Sequence, residues 1–245
     1  MQFYSAKITL HKKVAPDIFI LEVETPEQER NAGQFYMLKG WKNEMPLMRP
    51  ISIFKNNETR LTFLYKVVGN GTEYLSKMKK GNTISLLGPL GNGFPCEELH
   101  GKVALVGGGV GIPPMLETSK KLSKQGVSVD LYLGYKKEIF CHEEFVDYCD
   151  NIFIASESGT EGYKGFITDL VHYEKYNAVL TCGPEAMMKK IREACLSKNI
   201  PVWLSMEKRM ACGIGTCLVC NCETTAGMVK CCKDGPIFRG QDLIF

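Results

Sequence analysis

The chain has 245 residues, 44% hydrophobic and 23% charged, enough for two modest domains or one large one, each with its own core. Its formal net charge of +3 is small, and Lys and Arg are scattered among Asp and Glu, without the basic run that suits a nucleic-acid backbone. No apolar run is long enough to cross a bilayer, and Met1 to Val14 alternates polar and apolar residues instead of building a signal-peptide core. A cytoplasmic chain, with no nucleic-acid or membrane partner, is expected.

Residues 1–99 read as short alternating runs: KITLHKKV, IFILEVE, QFYMLK, ISIF, LTFLYKV and TISLLG, punctuated by Gly, Asn and Pro. Period-two alternation with frequent turns predicts a small antiparallel barrel or sandwich. One helical insertion is expected over Glu73 to Lys80, after the turn GNGT. The strand RPISI carries Arg49 and Ser52, and LYKVVGNGT ends another strand in a Gly71-Thr72 turn. Arg49 and Lys66 can neutralise phosphate, Ser52 and Thr72 can donate hydroxyls, and Tyr65 offers a ring for stacking. Taken singly, each is equally an ordinary strand or turn residue.

GPLGNGFP, residues 88–95, is dense in turn formers and marks the exit from this unit. Strand candidates at Val103 to Val106, Val129 to Leu133, Ile152 to Ala155, Ala178 to Cys182 and Val202 to Leu204 then alternate with helical stretches such as PPMLETSKKLSKQG and PEAMMKKIREACLSKN. That rhythm predicts a parallel sheet flanked by helices over residues 100–204. In VALVGGGVGIPPM the strand runs through Gly107, Gly108, Gly109 and Gly111 into a proline-opened helix, where backbone N–H groups can approach a diphosphate. Pro114 stands where the third glycine of G-x-G-x-x-G would fall, so an ordinary tight turn explains this stretch equally well. Cys182-Gly183-Pro184 ends a later strand, at the carboxyl edge where ligands collect, although Cys182 alone reads equally as a core thiol. Lys136 and Lys137 could meet a 2′-phosphate, but two solvated lysines after a strand are commoner.

Residues 205–245 hold six of the eleven cysteines. In a reducing compartment so many thiols point to metal or redox chemistry. Cys212, Cys217 and Cys220 are spaced C-x4-C-x2-C, with a further cysteine at Cys231 or Cys232, which is the plant-type spacing for a two-iron, two-sulfur cluster. Gly213 and Gly215 let the backbone wrap an inorganic core closely. A structural zinc site usually joins two close cysteine pairs, and only one is present here. Spacing leaves Cys231 and Cys232 open as the fourth ligand.

Arg49-Pro50-Ile51-Ser52, Gly71-Thr72, the Gly107 to Pro114 turn and Cys182-Gly183-Pro184 together resemble the ferredoxin–NADP reductase superfamily. With the tail MEKRMACGIGTCLVCNC…CKDGPIF, the chain closely resembles one branch, the electron-transfer subunits of heteromeric dihydroorotate dehydrogenase. The resemblance implies FAD on an antiparallel barrel, held by Arg49, Pro50, Ile51 and Ser52, by Leu64, Tyr65 and Lys66, and by Gly71 and Thr72. It implies NAD(H) over the α/β domain and a [2Fe-2S] cluster on Cys212, Cys217, Cys220 and Cys232, because the family's last ligand precedes x-Asp-Gly-Pro. It further implies a separate FMN-containing catalytic subunit, a heterotetramer of two such pairs, and a place in pyrimidine biosynthesis. Nicotinamide moves two electrons and a cluster takes one; a flavin can do both and so stands between them. Two other readings are a reductase of the same fold serving another acceptor and a non-catalytic binding module stapled by zinc.

Overall fold

A computed structural model describes residues 1–42 and 44–245. Its first unit is a closed six-stranded antiparallel barrel. The strands are β1 (Gln2–Ala15), β2 (Ile18–Glu24), β3 (Phe35–Lys39), β4 (Arg49–Asn56), β5 (Arg60–Lys66) and β6 (Thr83–Leu90), in spatial order β1-β2-β5-β4-β3-β6. Alternation drives the closure: Ile8, Leu21, Leu38, Phe63 and Leu86 point inward and fill the interior. Helix α1 (Asn70–Lys77) plugs one end with Leu75, which is fully buried. It begins three residues before the expected Glu73, because the Val68 and Gly69 N–H groups donate to Thr72 Oγ1 and so cap the helix directly at the GNGT turn.

The second unit is a parallel sheet of β7 (Lys102–Gly108), β8 (Ser128–Tyr135), β9 (Asn151–Ser156), β10 (Tyr163–Lys164), β11 (Ala178–Cys182) and β12 (Val202–Ser205), with α2 (Pro113–Lys124) and α3 (Glu185–Ser197) on its faces. Strand order runs β10-β9-β8-β7-β11-β12. The direction of winding therefore reverses between β7 and β11, and a crevice forms beyond their carboxyl ends. Successive residues of β7 feed opposite faces. Val103 and Leu105 pack under α2 with Ile18, Ile20, Phe54 and Leu64 from the outside of the barrel. Ala104 and Val106 pack under α3, in one apolar cluster with Cys220, Cys222, Cys231 and Cys232. Polar pins hold barrel to sheet: Lys55 pairs with Glu144 at 2.5 Å and the Asn56 N–H donates to Glu117 at 3.1 Å.

The expected three-part architecture is observed, with one difference in how the parts join. The tail forms a hairpin, β13 (Asn221–Thr224) and β14 (Gly227–Lys230), and then β15 (Ile237–Arg239), which pairs antiparallel with β12 and becomes the sheet's seventh strand. The boundary expected after Leu204 thus crosses a shared sheet rather than a linker. Among the described residues no helix is long and apolar enough to cross a membrane.

Candidate functional site

The carboxyl ends of β7 and β11 face a cleft of about 690 Å³ that also touches the barrel at Ala15, Pro16, Ile18 and Lys66. Its floor is built from backbone. A Cβ on Gly111 would overlap the Cys182 carbonyl, and one on Gly108 would stand 2.8 Å from the Pro184 ring. Only glycine permits this approach, which lines the cleft with main chain in the turn before α2, a helix whose first two residues, Pro113 and Pro114, carry no N–H of their own. Gly108, Gly109, Gly111, Gly183 and Pro184 line the cleft. Gly107 and Cys182 lie beneath it: Gly107 packs on Ile112 and Leu133, and Cys182 is 1% exposed, its thiol pushed up by burial. Cys182 is therefore a core thiol at a strand end. Lys136, Lys137 and Lys190 stand on the wall together with Glu138 and Glu157, so the wall carries both signs of charge.

Glu207, two residues past β12, lines the same cleft. The residue as a whole is exposed, yet burial among the surrounding protein raises its carboxyl above the usual carboxylate range. An ionisable group perturbed in this way inside a cleft is a functional candidate. The sequence offered only its place in the MEKRM run as a signal.

The second group of expected residues gathers on the barrel. Arg49, on β4, lies directly over Gly71 at the start of α1, where a Cβ would overlap the guanidinium. Among the described residues the Arg49 partners are the Leu47 carbonyl at 2.6 Å, the Met48 carbonyl at 3.4 Å, the Met45 sulfur and the Trp41 ring at 5.1 Å. A cation beside a helix start suits a diphosphate. Trp41 carries no local sequence signal, because its role depends on a loop folding back over β4. Pro50, Ile51 and Ser52 are half-buried along β4, with Ser52 opposite Phe35. Leu64 packs outward under α2, and Lys66 reaches the cleft.

Two expectations on the barrel are corrected. The Tyr65 ring does not offer a stacking face: it is 2% exposed inside the barrel, stacked on Phe19 and hydrogen-bonded to His11 at 3.0 Å, because period two turns it inward. The Thr72 hydroxyl is not free for phosphate, since it donates to the Gly69 carbonyl at 2.9 Å.

The thiol loop lies between barrel and sheet. Gly213, Gly215 and Leu218 take positive φ, curling the chain so that N–H groups face sulfur. Ile214 N–H donates to Cys212 Sγ at 3.4 Å, Gly215 N–H to Cys232 Sγ at 3.1 Å, and Cys232 N–H to Cys220 Sγ at 3.4 Å. Burial works to raise the Cys212 thiol, but Thr216, the Ile214 N–H and Cys217 outweigh it and hold the thiol down to about 5. Cys231 turns the other way, donating to the Met206 carbonyl at 3.2 Å and meeting Cys222, and it is fully buried. Among the described residues no three ligating side chains converge on one point as a single ion requires. Sulfurs that receive backbone N–H bonds, in a glycine-rich loop, fit a cluster that shares its thiolates between two irons.

Barrel, switch-point cleft and thiol loop define a flavin- and pyridine-nucleotide-dependent reductase that carries its own iron–sulfur module. Family models agree part by part: an oxidoreductase FAD-binding domain matches residues 5–94, and the iron-sulfur cluster binding domain of dihydroorotate dehydrogenase B matches residues 207–244. The dihydroorotate dehydrogenase B (NAD(+)) electron transfer subunit of Clostridium acetobutylicum is 45% identical over 97% of this chain and 96% of its own length. That of Clostridium perfringens is 42% identical over 100% and 99%. An NADH-dependent reduced ferredoxin-NADP oxidoreductase structure, studied for flavin-based electron bifurcation, superposes with a TM-score of 0.87 at 30% identity, covering 98% of this chain and 89% of the other. Phthalate dioxygenase reductase shares the fold, with a TM-score of 0.70 at 20% identity over 91% and 87%. The chain belongs to the family of dihydroorotate dehydrogenase B (NAD(+)) electron transfer subunits.

Proposed function

We propose that this chain moves electrons between an FMN-containing catalytic subunit, which interconverts dihydroorotate and orotate, and NAD(H). In this reading it works in a heterotetramer of two such pairs, in the cytoplasm, as part of pyrimidine biosynthesis. The working units are 1–99 for FAD, 100–204 for NAD(H) and 205–245 for the cluster. When bound, the nicotinamide supplies hydride, the flavin splits electron pairs into single electrons, and the cluster carries them one at a time.

The chain's own residues hold these groups. Arg49, beside Gly71 and the start of α1, neutralises the FAD diphosphate, and the backbone of Pro50 to Ser52 and Leu64 to Lys66 lines its ring. Gly108, Gly109, Gly111 and Gly183 admit the dinucleotide close to the sheet. Cys212, Cys217, Cys220 and Cys232 are the cluster ligands, while Cys231 and Cys222 pack behind them.

One observation carries the reading: the thiol loop is seated on the barrel itself, with Gly213 against Met37 and Leu90. A cluster held by this loop would stand against the barrel that carries the FAD site. The loop's outer rim, with Cys217 exposed among Ile214, Leu218 and Val219, supplies an apolar exit for electrons.

The test is the anaerobic visible spectrum before and after NADH, on wild type, Cys231→Ser and Cys232→Ser. Flavin and cluster bands that bleach in wild type and Cys231→Ser, with the cluster bands lost in Cys232→Ser, support the assignment. Cluster loss in Cys231→Ser alone would reverse the ligand choice, and a colourless folded wild type would end the reading. Adding the FMN subunit and dihydroorotate then separates this function from a reductase of the same fold with another acceptor, a reading that the likeness to the ferredoxin-linked oxidoreductase keeps in play.

A further inference from the structure

The turn Gly91-Asn92-Gly93 ends the barrel, and neither cofactor site uses it. Asn92 lies at the surface, yet its groups converge on the tail just beyond Cys232. Its N–H donates to the Gly235 carbonyl at 2.7 Å. Its side-chain amide donates to the Asp234 carbonyl at 3.2 Å and the Ile237 carbonyl at 2.9 Å, and its Oδ1 accepts from the Ile237 N–H at 2.9 Å. Gly91 allows this approach, since a Cβ there would stand 2.5 Å from the Pro236 ring and 2.7 Å from the Gly235 carbonyl.

We propose that Asn92 is a positioning residue for the cluster: it clamps residues 234–237 to the barrel and so sets how the thiol loop stands relative to the flavin. This rests on the cofactor reading above. The two ends of the loop are held differently. At the Cys212 end Gly213 lies against the apolar side chains of Met37 and Leu90. Beyond Cys232, β15 pairs with β12 and the Met206 N–H donates to the Pro236 carbonyl, ties that fix the tail to the sheet but not to the barrel. Among the described residues, the hydrogen bonds from the barrel to residues 233–237 all come from Asn92. Loss of its side chain therefore removes three of the four bonds between the barrel and this end of the loop, leaving the Asn92 N–H on the Gly235 carbonyl, while the sheet stays intact.

The experiment compares the wild-type holoprotein with Asn92→Ala and Asn92→Asp; the latter keeps one acceptor and removes both side-chain donations. Three quantities are read: amide exchange across residues 233–239, iron content with the electron paramagnetic resonance of the NADH-reduced cluster, and the separate rates of flavin reduction and cluster reduction. Removing the side-chain bonds should raise exchange in this segment about tenfold or more. Cluster reduction should slow and the resonance should change, with iron content and the NADH-to-flavin rate unchanged. Unchanged exchange and cluster reduction in both variants would overturn the proposal, and so would slowing that merely tracks lost iron. If Asn92→Ala fails to fold, Asn92→Asp decides on the same readings. A wild type without flavin or cluster would defeat the cofactor reading alone, while amide exchange would still judge the Asn92 clamp.

Discussion

The two edges of the parallel sheet are built on opposite rules. At the carboxyl edge, glycines at 108, 111 and 183 remove side chains, backbone meets backbone, and charged groups such as Glu207 and Lys66 stand in an open cleft. At the amino edge, buried Asp130 is tied to Lys102 at 2.7 Å, to the Tyr176 hydroxyl at 2.7 Å and to the Asn151 amide at 2.8 Å, while Tyr176 also bonds Tyr132 at 2.6 Å. One edge opens its groups to a ligand; the other ties Asp130, Lys102, Tyr176, Asn151 and Tyr132 to one another. The difference teaches that this sheet keeps its stabilising polar network and its ligand chemistry at opposite ends of the same strands, so the two should be separable by mutation.

The strongest way to break the comparison is Asp130→Ala. It leaves the Tyr176 hydroxyl and the Asn151 amide without their acceptor, at about 1–3 kcal/mol for each buried group, while the Lys102 ammonium, on a side chain 36% exposed, keeps its access to water. Urea unfolding should show that loss, while NADH still reduces the folded fraction at the wild-type rate. A large change in NADH affinity would mean that the two edges are coupled. Gly111→Ala is the converse. Its methyl group meets the Cys182 carbonyl and the Gly183 nitrogen, both main chain, so the strand-to-helix turn must shift at a cost of about 1–3 kcal/mol. The expected result is a KM for NADH raised about tenfold or more, with FAD and iron contents unchanged. An unaltered KM would move the nucleotide away from this turn.

Much of this organisation is legible in the sequence, and the failures have physical causes. The change from period two to alternating strands and helices at residues 88–95 separates barrel from sheet, and Ala178 to Cys182 is β11 to the residue. Local pattern suffices there because one element buries one face. The β15 strand escapes notice because three residues, Ile237 to Arg239, carry no period, and its pairing with β12 is decided in space. Inward or outward facing was the weak point in the candidate site. Tyr65 and Lys66 are neighbours in one motif, yet the pleat sends the first into the core and the second to the cleft. The Arg49–Gly71 contact was approached through its residues, but Trp41 and Asn92 act through chain crossings that no spacing announces.

The finest test of the two-edge contrast is acid. Burial alone would raise the Asp130 carboxyl, but Lys102, Asn151 and Tyr176 outweigh it and hold the group below the usual carboxylate range. In the unfolded chain Asp titrates near 3.9, so as pH falls the unfolded state takes up this proton first and folding weakens. The knot's contribution is thus whole above about pH 5 and declines as pH drops below about 4 toward the folded value. Lys102, raised chiefly by its bond to Asp130, keeps its share until pH rises past the ordinary lysine range. Asp130→Asn removes the titration while keeping the shape. Urea midpoints at pH 7, 4 and 3 should therefore fall further in wild type than in Asp130→Asn, and the variant's NADH reduction should follow the wild-type pH profile. Parallel midpoints in the two proteins would mean that acid acts elsewhere, with the thiol loop the first place to look, since its ligands must shed their protons to hold iron.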